Sequence, residues 1–81
     1  MARIEIGKHL AADTRVCAGR LIFRGTRILV SDALELIDAG YTPGAVSEQY
    51  GGLVKPQAVR EARSLIRRGL IREVGAGPPA A

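Results

Sequence analysis

Tryptophan is absent from this 81-residue sequence, which has one phenylalanine and two tyrosines. That excludes an aromatic platform on which single-stranded bases would stack. Cys17 is the one cysteine, so neither a disulfide nor a thiolate metal cluster can form within the chain. His9 is the one histidine and has no cysteine beside it, which leaves no zinc site; it reads as an ordinary surface residue. Cys17 has no histidine near it in sequence, and its small apolar neighbours suit a buried thiol. The glycines at 40–44 and 51–52 are not followed by Lys-Ser or Lys-Thr, so no phosphate loop is present. No apolar run approaches the roughly 18 residues of a membrane span. The N-terminus lacks the apolar core of a signal peptide. These absences lead us to expect a cytoplasmic protein that is not an enzyme and has no metal, cofactor, small-molecule substrate or membrane contact.

What is present is charge in blocks. Residues 1–30 hold six basic and two acidic side chains. Residues 31–50 hold four acids, Asp32, Glu35, Asp38 and Glu48, and no base. Residues 51–72 hold Lys55, Arg60, Arg63, Arg67, Arg68 and Arg72 against Glu61 alone. The net charge is +4. Two basic blocks on one small domain suit a polyanion, and the plainer reading is an arginine-rich soluble surface.

The local signals predict a mainly α domain over 1–74, a β-hairpin followed by three helices, with 75–81 a flexible tail. Arg3 to Ile6 alternates and suits either a strand with Ile4 and Ile6 inward or a frayed end. Lys8 to Thr14 has no period and reads as loop. The hairpin is expected over 20–30, turning at Arg24-Gly25-Thr26. The first helix, 31–39, opens at an N-cap Ser31 and closes at Gly40. The second, 43–50, has Thr42 as cap and Pro43 at its first position. Tyr41 and Val46 have the spacing of a hydrophobic staple. The third, 56–68, opens at Pro56 and stops at Gly69, with Val59, Ala62, Leu65 and Ile66 as its buried stripe. Three helices with links this short fit the core of a helix-turn-helix, or a generic helical hairpin.

The third helix carries the functional expectation. Arg60, Arg63 and Arg67 share a face. With Gln57 and Ser64 they would meet base edges and phosphates of double-stranded DNA, and Lys55 would hold a phosphate. The acids Asp32, Glu35 and Asp38 read as a solvated stripe pointing away from the duplex. A small core and a strand-rich stretch with exposed edges suggest a homodimer, joined through Leu21, Ile22, Phe23, Ile28 and Leu29. Arg68, Leu70, Ile71 and Arg72 are the expected contact for a protein partner.

Three further stretches carry a family resemblance. They are Val16-Cys17-Ala18-Gly19, Phe23-Arg24-Gly25-Thr26-Arg27-Ile28-Leu29-Val30 and Leu36-Ile37-Asp38-Ala39-Gly40-Tyr41-Thr42. In these the chain resembles a small prokaryotic family of unknown function, number 433 in the series of such domains. Leu29 and Leu21 stand where the family usually has proline, and Gly51 departs from a usual Asp-Tyr-Pro-x-Leu segment. The resemblance implies a winged-helix-like or tri-helical fold with a preceding hairpin. It also implies an antitoxin of a type II toxin–antitoxin pair, whose usual partner is a PIN-type ribonuclease and which represses its own operon as a dimer. A protein-binding neutralising subunit, or a structural domain without DNA binding, is the alternative.

Overall fold

The computed structural model describes residues 3–71. Three strands come first: β1 (Arg3–Ile6), β2 (Leu10–Asp13) and β3 (Val16–Phe23). They form one antiparallel sheet in the order β1-β2-β3. Three helices follow: α1 (Val30–Asp38), α2 (Pro43–Gln49) and α3 (Pro56–Arg67). The fold is therefore a sheet followed by helices and is not mainly α, which corrects the expected class. The tail at 75–81 lies outside the described residues.

The missed strand is β2. Leu10 and Ala11 are fully buried, and Asp13 is nearly so. A central strand covered on both sides shows no alternation, and two alanines in four residues give no strand propensity. Pairing on both edges makes it a strand regardless, with Ile6 opposite Leu10 and Leu10 opposite Phe23. β1 is a strand as one reading had it. Ile6 packs against the core, whereas Ile4 is 60 % exposed.

A β-hairpin does precede the helices, as expected, but it is built from β1, β2 and β3 and not from residues 20–30. Leu21, Ile22 and Phe23 form their ladder with β2 and not with residues 27–30. What remains of the hairpin expected at 20–30 is one bridge, Ile22 with Leu29, and a bond from the Phe23 N–H to the Ile28 carbonyl at 3.0 Å. Thr26 explains why. Its hydroxyl donates to the Phe23 carbonyl at 2.8 Å and accepts the Ile28 N–H at 3.0 Å. The turn thus satisfies its own backbone, and the chain enters α1 at Val30 without a second strand. Between Ala12↔Leu21 and Asp13↔Val16, β2 advances one residue while β3 advances five, so residues 17–20 bulge outward. Cys17, Ala18 and Gly19 in this bulge all have positive φ. The Cys17 Sγ, half-buried, donates to the Arg27 carbonyl at 3.5 Å.

The three helices lie within one or two residues of expectation. Thr42 caps α2 as its chemistry suggests, accepting the Ala45 N–H at 3.1 Å. Ser31 does not cap α1. It is buried inside the first turn, and its hydroxyl accepts a bond from Arg20 at 3.0 Å. Leu29, with extended φ and ψ, holds the N-cap position. All three helices close in the same way. The N–H of Tyr41, Gly52 and Leu70 reaches back to Leu36, Ser47 and Leu65, each at 2.9 Å, from just beyond a residue in the left-handed region.

The core lies between sheet and helices. Leu10, Phe23, Val30, Val46, Val54 and Val59 fill it, with Ala33, Ala58 and Ala62 letting the helices approach. Phe23 is its largest member. Phe23→Ala should cost about 3–5 kcal/mol, a large share of the roughly 4–12 kcal/mol a chain of this length can have. Urea unfolding followed by circular dichroism should show the transition moved to low urea or lost.

Candidate nucleic-acid interface

α3 presents its apolar stripe, Ala58, Val59 and Ala62, to the core. Helical periodicity then turns Gln57, Arg60, Ser64 and Arg67 outward, and all are exposed. Lys55, the extended residue before Pro56, is exposed at the start of the helix. Arg63 lies to one side, also exposed. Arg60, Arg63, Ser64, Arg67 and Arg68 rim a shallow hollow of about 260 Å³. Among the described residues, none of Lys55, Arg60, Arg63, Arg67 and Arg68 has an ion pair.

The one acid on α3 does not share this face. The Glu61 carboxylate accepts the Lys8 N–H at 3.0 and 3.1 Å and the His9 N–H at 2.8 Å. The His9 ring nitrogen Nδ1 lies 3.1 Å from the same carboxylate. His9 is thus half-buried and partnered, not an ordinary surface side chain. The turn between β1 and β2 is thereby pinned to the flank of α3. Burial acts to raise the Glu61 pKa, but the Lys8 and His9 amides and the His9 ring outweigh it and hold the carboxyl below its ordinary value. Gly7 makes the approach possible. A Cβ there would stand 2.5 Å from Glu61 Oε2, and its φ is +60°.

Of the α1 acids, Glu35 and Asp38 are exposed, as a solvated stripe would be, and Asp32 is half-buried. Glu35 and Asp38 line a cleft of about 600 Å³ together with Arg63 and Arg67, over a floor of Leu34, Ile37 and Ile66. The acids therefore lower the positive potential at the C-terminal half of α3. The N-terminal half meets the opposite situation. A second cleft of about 210 Å³ is walled by Lys8, Arg24 and Lys55, with Phe23 and Val54 beneath. No local signal ties Lys8 and Arg24 to α3. They are more than thirty positions from Lys55 and come from two separate turns.

The remaining expected site residues divide. Ile22 and Phe23 are buried in the chain's own core and offer no surface to a second copy. Leu21, Ile28 and Leu29 are half-buried, and Leu21 and Ile28 pack against that core. Arg68 and Leu70 are exposed, while Ile71 packs inward. Arg72 lies outside the described residues. Among the described residues no group of three or more His, Cys, Asp or Glu side chains is placed to hold a metal ion. Among the described residues no helix is long and apolar enough to cross a membrane.

A small antiparallel sheet followed by three helices, the last with a cationic outer face, is the class of domain these features define. The family model described as "Protein of unknown function (DUF433)" matches residues 11–64, and the chain belongs to that family. The match begins inside β2, so β1 and the turn carrying Gly7, Lys8 and His9 precede it. None of the curated proteins matches the chain. Among solved structures it is similar to the X-ray crystal structure of Rv2018 from Mycobacterium tuberculosis, with 35 % identity and a TM-score of 0.59. The similarity covers 67 % of this chain and 24 % of that one, so the chain spans about a quarter of that protein's length.

Two outcomes test the Glu61 latch. Glu61→Gln should cost about 1.5–3 kcal/mol, the range for hydrogen bonds to a charged group. Because the folded carboxyl titrates below its ordinary value of 4.5, its contribution is complete above that value and is lost as pH falls toward the folded pKa. Thermal melts between pH 7 and pH 3 should therefore fall more steeply for the parent protein than for Glu61→Gln. Gly7→Ala should lose about 1–3 kcal/mol through its left-handed backbone and the displaced carboxylate. A melt within a degree of the parent's would contradict that.

Proposed function

We propose that this protein is the antitoxin of a type II toxin–antitoxin pair. In this reading it acts in the cytoplasm, binds its own promoter DNA as a dimer and neutralises a PIN-type ribonuclease. The observation that carries the DNA part is the outer face of α3. It offers Lys55, Gln57, Arg60, Ser64 and Arg67 without an acid, because Glu61 is turned to the flank. α2 and α3, joined by residues 50–55, would act as the helix-turn-helix. In that unit the N-terminal residues of the second helix meet base edges. The charge layout favours the same end, since Glu35 and Asp38 sit beside the C-terminal half. Gln57 has the chemistry to pair with adenine and Arg60 with guanine. Arg63, Arg67 and Arg68 would follow the phosphates. The antitoxin part is supported by the family and by its resemblance to such proteins.

A second reading, a subunit that binds only protein, is favoured by the α1–α3 cleft. Its apolar floor between acidic and basic rims suits an amphipathic peptide segment.

Replacing Arg60 by alanine should weaken binding to the promoter duplex by about 1–3 kcal/mol and relax discrimination at one base pair. Fluorescence anisotropy at several salt concentrations reads this directly. Equal affinity for the promoter and for random duplexes at every salt would reduce the face to a basic surface. Co-expression with a neighbouring nuclease gene and pull-down tests the protein partner.

A further inference from the structure

We propose that Lys8, Arg24 and Lys55 form a clamp for a single backbone phosphate of duplex DNA, beside the first turn of α3. The inference rests on the DNA-binding reading and adds a site to it. Three segments distant in sequence build the cleft: the β1–β2 turn gives Lys8, the β3–α1 turn gives Arg24, and the α2–α3 link gives Lys55. Its volume of about 210 Å³ admits a phosphodiester group. Lys8 and Lys55 are exposed, and neither side chain has a partner among the described residues.

The scaffold is held rigidly on several sides. The Arg24 N–H donates to the His9 carbonyl at 2.7 Å, and Arg24 Nη2 donates to the Gly7 carbonyl at 2.9 Å. Glu61 fixes the amides of Lys8 and His9 from the other side. The turn bearing Lys8 is therefore ordered before any ligand arrives, which lowers the entropic cost of binding. Arg24 also lies 3.7 Å from Glu5, an exposed pair that a phosphate can displace at little cost. Lys55 alone would be a generic surface cation. Three cations from three segments around one cleft converge on one anionic group.

Such a clamp would set the register of α3 in the groove, since a phosphate fixed next to Gln57 fixes which bases Gln57 and Arg60 reach. The test uses promoter duplexes in which one phosphate at a time is replaced by a neutral methylphosphonate. The proteins compared are the parent chain, the Lys8→Ala/Lys55→Ala double variant and Arg24→Gln, which keeps a donor for the Gly7 carbonyl. Circular dichroism first confirms that each is folded. For the parent, one position per bound copy should stand out, with a loss of affinity of about threefold or more. The double variant should lose nothing further at that position. Its plot of log affinity against log salt should be shallower by about 0.9, one phosphate's worth on B-form DNA. A double variant with parental affinity and slope would overturn the clamp and leave the DNA reading standing. A parent chain that binds no duplex at about 50 mM salt, where phosphate contacts are strong, would overturn both.

Discussion

The carboxylate of Glu61 is the contact on which the candidate surface depends. It accepts two amides of the β1–β2 turn and lies against the His9 ring, so it ties the sheet to the last helix with polar bonds. Buried apolar packing also joins the two halves, but packing is tolerant of small slides whereas a carboxylate on two amides is not. One consequence is geometric, since Lys8 and Arg24 are held beside Lys55. The other is electrostatic. No arginine stands three or four positions from Glu61, so helical spacing puts this acid off the face of Arg60, Arg63 and Arg67. The carboxylate is engaged with the β1–β2 turn, and among the described residues the arginines of α3 have no ion pair.

Much of the helical half was legible in the sequence because its signals are local. Thr42-Pro43 starts a helix by hydrogen-bond chemistry that needs no tertiary partner, and the glycines at 40, 51 and 69 end helices in the same self-contained way. The sheet was legible only in part. β2 is short, alanine-rich and covered on both faces, so neither periodicity nor propensity marks it. The stretch from Arg27 to Val30 carries strand formers, yet Thr26 closes the turn so tightly that the chain goes straight into α1. Local preference pointed to a hairpin, and the availability of β2 as a partner decided otherwise.

The candidate site divides along the same line. The outward face of α3 follows from a period of 3.6 and could be read residue by residue. The neighbours of that face could not. Lys8 contributes from more than forty residues away, and the acids of α1 come up against Arg63 and Arg67 only through the packing of α1 on α3. The expected dimer residues Ile22 and Phe23 show the reverse error. Apolar strand residues suit an interface or a core equally well, and in a chain this small the core claimed them.

The bulge at 17–20 bears on how the domain opens. Cys17 and Ala18 hold the left-handed region with side chains that disfavour it, at a cost of about 1–2 kcal/mol for each residue. Against a total of roughly 0.05–0.15 kcal/mol per residue, that is a considerable load at one point of the sheet. Any fluctuation that frees residues 17–19 releases it, so opening at this edge is cheaper than opening at Leu10 or Phe23 by about the same amount. The sheet therefore has an uneven profile of local stability. Its firm end lies at the turn held by Glu61. Its yielding end lies at the bulge, where amide exchange with solvent would begin.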